Sequence, residues 1–444
     1  MEQSADVVIV SVFGRGEWLA SELSHQGWRV TLIDISEQMG EWSPEEAEGP
    51  FGFLQGQDLL SSHNTRIQSE GEASDVDEGM VFWTADGPLE CKSEMTSFLL
   101  QQKVAPEIQN YLRESHHSAR ELGKARSRLR GLNYDQTWIA NLSHQLASTV
   151  FVENHRALDV GVGLPVFSHF MVRRPTQDGR MKSLKACQAS GVKIRLHAKI
   201  RDVRLHARNF DAIEVEDEHS GIERGKAFVW MLSSAETRHF SPSIAGKLFP
   251  DRLLKPAWFW TRFAFKLEVP DIEEQVPLWT AVVEDHLLPW THTNLTILHK
   301  RKTKGDLSAW VRLPIWTRFD RGYHKKIVSE LELLIAKKLP GSQPQLKILP
   351  TEAKYYDQGD TVRAEAKLGP PRFPVFDEGA LKRVPERSGL NLFFDGPEHW
   401  QNYGWLGMFR HQMQIINKLQ KLKAIWDANV HTNSNLSSHR NIST

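Results

Sequence analysis

The residues with the most chemistry in their spacing lie between Asp6 and Asp34. Val7-Val-Ile-Val10 is a short apolar run. A stretch with Leu19, Ala20 and Leu23 at helical spacing follows, Gly27 closes it, and Val30-Thr-Leu-Ile33 leads to an acid at Asp34. This order predicts a strand, a helix and a second strand. In such a unit the helix N-terminus can hold a pyrophosphate and the acid can hold a ribose. The glycine pattern G-x-G-x-x-G that lets backbone approach phosphate falls on Ser11, Phe13 and Gly16, with Asp34 23 positions after Ser11. If the strand instead runs on to Phe13, Gly14 and Gly16 become the first two glycines and Leu19 replaces the third. The first register leaves a helix of ordinary length before Gly27.

The side chains in this loop pull in opposite directions. Phe13 stands where any side chain would occupy the phosphate's place. Glu17, at the helix start, can satisfy the positive dipole end itself and repel a phosphate. Arg15 points the other way, since a guanidinium pairs well with phosphate. Asp34 is either the ribose ligand or a solubilising acid at a strand end. The loop by itself is therefore compatible with dinucleotide binding and with a buried strand-helix-strand unit whose helix is simply capped.

Other chemistry finds little support. His116, His117, His286, His292 and His299 lack metal-ligand spacing, and Cys91 and Cys187 are far apart. There is no G-x-S-x-G elbow and no phosphate-loop lysine motif. His399 is near a C-terminal turn but stands alone, so no catalytic acid or base is assigned.

The elements that must position these residues belong to a long chain. Its 444 residues predict two or three domains. Lys+Arg and Asp+Glu balance at 55 each, which gives no global reason to expect nucleic acid as a partner. Two cysteines fit a reducing compartment, and the N-terminus shows no signal-peptide pattern, so a cytoplasmic location is expected. No apolar run is long enough to predict a transmembrane segment. Fifteen tryptophans imply large apolar surfaces.

Along the chain, 64–80 is polar and acidic, and Val81 to Cys91 is a hairpin turning at Asp86-Gly87. Helical patterns follow to about Arg130. The basic stretch from Arg120 is the kind of run a solvated helix face carries. Asp159 to Pro165 contains glycines but lacks the strand a phosphate loop needs. A helix ending near Gly191 precedes strands at Val192–Leu196, Ile200–His206, Ala212–Val215 and Ala227–Leu232. Strands rich in aromatics follow at Phe259–Leu267, Leu278–Val283, Leu295–His299 and Ala309–Leu313. An amphipathic helix spans Lys325–Lys338. Asn391–Phe394 is a buried-type strand, and a helix runs from about Gly404 to Trp426.

Taken together, the N-terminal unit, Gly191 to Leu196 with Ile200, Val229 to Ser234, Leu392 to Gly396 and Gly404 to Leu406 resemble, in this order, the FAD-dependent amine oxidase and phytoene-desaturase group of flavoproteins. The resemblance implies an α/β fold: a Rossmann-type domain from 1–60, 170–250 and 385–429, and a substrate domain with an antiparallel sheet and helices from 61–169 and 251–384. Residues 430–444 are expected to be a polar, disordered tail. It also implies FAD-contacting positions at Ser11, Gly14, Arg15, Gly16 and Asp34, at Ile200 beside the adenine, and at Gly396, Glu398 and Leu406 in the C-terminal return. The departures fall at the cofactor. Ser11 and Phe13 replace glycines, Gly40-Glu41-Trp42 replaces a Gly-Gly-Arg, and Gly396-Pro397 replaces Gly-Asp, with Glu398 adjacent to reach a ribityl hydroxyl. Three functions remain open. The first is an oxidoreductase with an atypical FAD site. The second is a cofactor-free pseudoenzyme that binds a small molecule or a protein in the substrate-domain cleft, as Rab GDP-dissociation inhibitors use this fold. The third is an NAD(P)-binding protein in which Asp34 favours NAD. No metal is expected.

Overall fold

The computed structural model describes residues 4–12, 14–35, 55–56, 80–84, 87–91, 170–171, 185, 187–206, 209–218, 220–249, 254–268, 279–283, 295–300, 305–339, 341–350, 368–371, 373–376, 387–400 and 404–440. The chain begins β1 (Ala5–Ser11), α1 (Glu17–His25), β2 (Val30–Asp34), β3 (Gln55–Gly56), β4 (Met80–Thr84), β5 (Gly87–Cys91) and β6 (Phe170–Met171). It continues with β7 (Lys193–Arg195), β8 (Lys199–His206), β9 (Asn209–Glu216), β10 (Gly221–Trp230), α2 (Ser234–Phe240) and α3 (Pro242–Leu248). Then come β11 (Trp258–Leu267), β12 (Trp279–Val283), β13 (Leu295–Lys300), β14 (Asp306–Pro314), α4 (Arg321–Lys338) and β15 (Pro344–Ile348). Last are β16 (Pro374–Val375), β17 (Arg387–Ser388), β18 (Leu392–Phe394) and α5 (Gly404–Arg440).

Two large sheets organise the molecule. The first runs β17-β18-β10-β1-β2-β7, and its pairs from β18 to β7 are parallel. Strands covered on both faces need continuous apolar sequence, which is what Val7–Val10 and Ala227–Trp230 supply. Val7, Ile9, Leu32 and Val229 face α1 and α5, where Leu19, Leu23, Ile415, Ile416 and Leu419 complete the layer. Val8, Val10, Phe228, Trp230 and Phe394 face the antiparallel meander of β8, β9 and the first half of β10, with α3 beside it. β10 thus changes partners along its length. Gly221–Arg224 pairs antiparallel with β9, and Gly225–Trp230 pairs parallel with β1.

The second sheet runs β15-β11-β14-β13-β12-β4-β5, antiparallel apart from the β12–β4 pair. The buried face of α4 (Ile327, Leu331, Leu334, Ile335) packs with Phe263, Phe265, Leu307 and Val311 of this sheet. The chain therefore has a two-part α/β architecture: a Rossmann-type mixed sheet, and an antiparallel sheet with helices.

The differences from the sequence reading are local. α4 starts at Arg321, ahead of the expected Lys325, because Asp320 caps it by accepting the Tyr323 N–H at 2.9 Å. α5 continues to Arg440, past Trp426 and through part of the stretch expected to be a polar tail. No glycine or proline interrupts 408–440. The short β3–β6 pair carries no sequence signal. The expected helices of 96–130, the acidic loop of 64–79, Asp159 to Pro165, Phe13, Gly40 to Trp42, His116, His117, His286 and His292 lie outside the described residues. Among the described residues no helix is long and apolar enough to cross a membrane.

Candidate functional site

In the first sheet the chain leaves β1 toward β2 on one side, while β10 lies on the other. A crevice at the C-terminal ends of such neighbours is where parallel α/β sheets bind ligands. In this protein four segments meet there: Val12 and residues 14–17 after β1, residues 231–236 after β10, residues 395–400 after β18, and the His411-Gln412 turn of α5.

β1 ends at Ser11 and α1 starts at Glu17, as the first register requires. Gly16 has the close-packing role of the last glycine in the pattern, because a Cβ there would meet Leu32 Cδ1 at 2.8 Å and Ile9 Cγ2 at 3.0 Å. The N–H groups of Gly14, Arg15, Gly16 and Glu17 are already engaged. Gly14 N–H, at φ +71°, donates to Asp34 Oδ2 at 2.9 Å. Gly16 N–H donates to Ser11 Oγ at 2.9 Å. Arg15 N–H reaches Val12 O, and Glu17 N–H reaches Gly14 O, both at 3.4 Å. Glu17 is buried at the head of α1, so a negative group stands at the positive end of the helix. Cys187 Sγ donates to Glu17 O at 3.0 Å, and burial pushes that thiol up to about 12, with the Glu17 charge adding to the effect.

Arg15 is the centre of the crevice. Its Nη1 and Nη2 donate to the two carboxylate oxygens of Glu236, each at 2.8 Å, and both side chains are buried. Its Cζ lies 5.1 Å from the centroid of the Trp400 ring. Glu236 also completes a capping box at the start of α2. It accepts the Ser233 N–H at 2.8 Å, while Ser233 Oγ accepts the Glu236 N–H at 3.0 Å.

The C-terminal return supplies the rest. Asp395 Oδ1 accepts from Trp400 Nε1 at 3.1 Å and lies 2.7 Å from His411 Nδ1. Glu398 Oε1 accepts the Ser234 N–H at 2.8 Å. Burial pushes the Glu398 carboxyl up to about 8, hydrogen bonds from its own and the Ser234 N–H oppose this, and the Glu236 charge adds to the rise. Gly396 allows close approach, since a Cβ there would meet Ser233 N and Glu398 Oε2 at 2.7 Å. Gln412 Nε2 donates to Arg15 O at 3.1 Å.

The structure thus brings Ser11, Gly14, Arg15 and Gly16 together at the end of β1 with Asp34 from the end of β2, and sets Gly396 and Glu398 against Ser233 and Ser234 after β10. Ile200 lies in β8, in the apolar cluster with Ile33, Ile35 and Val215. Leu406 lies in the first turns of α5. Sequence reasoning missed Glu236, Asp395, Trp400, His411 and Gln412. The Ser233-x-x-Glu236 spacing is a readable capping box, and Asp395 directly precedes the Gly396 that was singled out. The α5 residues carry no signal, because nothing local says which face of that helix meets the crevice. His299 is buried in β13, in the other sheet. Among the described residues no group of three or more His, Cys, Asp or Glu is placed to hold a metal.

No family model matches the sequence, and no curated relative matches it. Solved structures do share its fold. An oxidoreductase from Methanosarcina mazei is similar over 93% of this chain and 99% of its own, with 11% identity and a TM-score of 0.55. A putrescine oxidase mutant, from a redesign of cofactor binding in that enzyme, is similar over 94% of this chain and 99% of its own, with 13% identity and a TM-score of 0.53. At such identities the likeness is one of fold.

Proposed function

We propose that this chain is a cofactor-free binding protein built on the fold of flavin-dependent oxidases. The observation that carries the reading is the state of the phosphate loop, where Gly14 N–H is held by Asp34 and Gly16 N–H by Ser11. A dinucleotide bound at this loop would need those donors for its pyrophosphate and Asp34 for its ribose. Here donor and acid satisfy each other. Arg15, the cation of this loop suited to a phosphate, is committed to Glu236. Freeing two such hydrogen bonds costs about 1 kcal/mol each, and separating a buried ion pair about 3–5 kcal/mol. Together this is about four orders of magnitude in affinity. On this reading the residues present do not fit FAD or NAD(P) held in the manner of the fold, and no redox step is assigned.

The same reading treats 1–60, 170–250 and 385–429 as the former cofactor part. The cleft of the part formed by 61–169 and 251–384 then receives the ligand, a small molecule or a protein. The competing reading, an FAD-dependent oxidoreductase of the amine oxidase type, is favoured by one feature. Gly16 and Gly396 keep the close backbone approaches of a cofactor domain. The test is direct. The purified protein is expected to be colourless, to release no flavin on denaturation and to take up none on incubation with FAD. Stoichiometric flavin in either assay establishes the oxidoreductase reading instead.

A further inference from the structure

Gln412, Asp395 and His411 are buried in the crevice, and each holds the protein with one end only. The Nε2 of Gln412 donates to Arg15 O at 3.1 Å. A carbonyl can only accept, so the amide nitrogen must face it, and Oε1 is the outer end. Asp395 Oδ1 takes both Trp400 Nε1 and His411 Nδ1, at 3.1 and 2.7 Å. With its proton on Nδ1 for that carboxylate, the His411 ring presents Nε2 as an acceptor. Gln412 Oε1, Asp395 Oδ2 and His411 Nε2 have no hydrogen-bond partner among the described residues. The three groups share one place. Asp395 touches His411, Gln412 holds the Arg15 backbone, and Trp400, bonded to Asp395, lies 5.1 Å from the Arg15 guanidinium carbon.

Buried polar atoms ordinarily find a partner, and leaving one without is costly. What these three atoms call for is donors, since all of them accept. Asp395 adds a negative charge that an indole N–H and a singly protonated imidazole do not cancel. Arg15, the cation of the neighbouring loop, is held by both carboxylate oxygens of Glu236. Glu398 Oε2 also has no partner among the described residues, but burial pushes that carboxyl up to about 8, so at neutral pH it keeps its proton and adds no charge. An anion does not fit such a cluster. A hydroxyl brings one donor and a water two, and each brings acceptors as well. An ammonium group brings three or more donors, no acceptor and a positive charge.

We infer that Asp395, His411 and Gln412 bind an ammonium group, either the free ion or the head of a small primary amine. The inference rests on the reading that no dinucleotide occupies the crevice. Asp395 supplies the charge, and His411 and Gln412 supply directional acceptors, which a metal ion of the same charge cannot use as hydrogen-bond partners. His399 and Trp400 are half-buried, so the cluster lies one side chain from solvent. His399 stacks on His411 with ring centroids 5.3 Å apart, which holds the imidazole in its plane.

The experiment compares the full chain in potassium, ammonium, methylammonium and tetramethylammonium chloride at equal ionic strength, with flavin assayed in the same preparation. Ammonium or methylammonium should raise the thermal midpoint by about 1–2 °C over potassium, because a ligand that binds only the folded chain stabilises it. Tetramethylammonium has the charge but no N–H, and should match potassium. A rise with ammonium alone assigns the site to the free ion, and a rise at least as large with methylammonium assigns it to a primary amine. Asp395→Asn keeps an acceptor for Trp400 and His411 but presents an NH2 donor in place of Oδ2. It should weaken binding by more than about tenfold, read from the broadening of the methylammonium methyl resonance on titration with protein. Where that variant does not fold, the salt series on the parent chain decides. No rise with either N–H cation, an equal rise with tetramethylammonium, or undiminished binding by a folded variant overturns the inference. Flavin-free protein that binds neither cation overturns this inference alone, whereas stoichiometric flavin overturns the reading beneath it as well.

Discussion

Glu398 shows how a single residue in this crevice ties protonation to folding. Its carboxyl is buried and held up to about 8, against an ordinary value of 4.5. Below 4.5 both the folded and unfolded chains carry its proton. Between 4.5 and 8 only the folded chain does, so stability falls as pH rises through that window and levels off above it. The loss expected from this one group is on the order of a few kcal/mol. Glu398→Gln keeps the shape and the acceptor for the Ser234 N–H but cannot ionise. Urea-denaturation midpoints should show the variant with a flatter profile from pH 5 to 8 and greater stability than the parent at pH 8. Parallel profiles would assign the pH dependence to other groups. The sequence placed Glu398 beside the right turn, but its depth of burial depends on the start of α2, 164 residues earlier in the chain.

At the scale of elements, the Arg15–Glu236 pair joins the loop after β1 to the capping box of α2, 221 residues later. Removing one member leaves the other buried and charged. Glu236→Ala should cost about 3–5 kcal/mol in unfolding free energy. Replacing both by apolar residues of similar volume, as in Arg15→Met with Glu236→Leu, should cost much less, and the double-mutant cycle measures the coupling. Equal losses in the single and double variants would mean that the cap, not the ion pair, carries the stability. The strands and helices themselves were legible because their burial follows simple periods. Val7–Val10 is apolar throughout and buried on both faces, and Ile327, Leu331, Leu334 and Ile335 form one helical stripe. The start of α4 was displaced by its Asp320 cap, which sits outside the apolar stripe. α5 runs on through the polar stretch to Arg440, because composition alone does not stop a helix.

At the scale of the whole molecule, α5 returns to cover the face of the first sheet that α1 begins. Ile415, Ile416 and Leu419 join Val7, Leu19, Leu23 and Leu32 in one core, and Trp426 meets Trp28 edge-on at 6.2 Å. Truncating Leu419 to alanine should cost about 2–5 kcal/mol and lower the thermal midpoint of the whole chain. An unchanged midpoint would show that α5 is not integral to that core. The sequence by itself determined the strand-helix-strand unit, the order of the main strands from β7 to β14 and the aromatic second sheet. Each of these follows from local periodicity and turn residues. It also showed that Ser11 and Phe13 stand in place of two glycines of the phosphate loop. Only the tertiary structure decided what the loop does with its donors. Whether Arg15 meets a phosphate or Glu236, and whether Asp34 holds a ribose or Gly14, depends on which groups folding brings within hydrogen-bond reach. Those partners lie as far as 397 residues away, as Gln412 does from Arg15, a separation that no local pattern encodes.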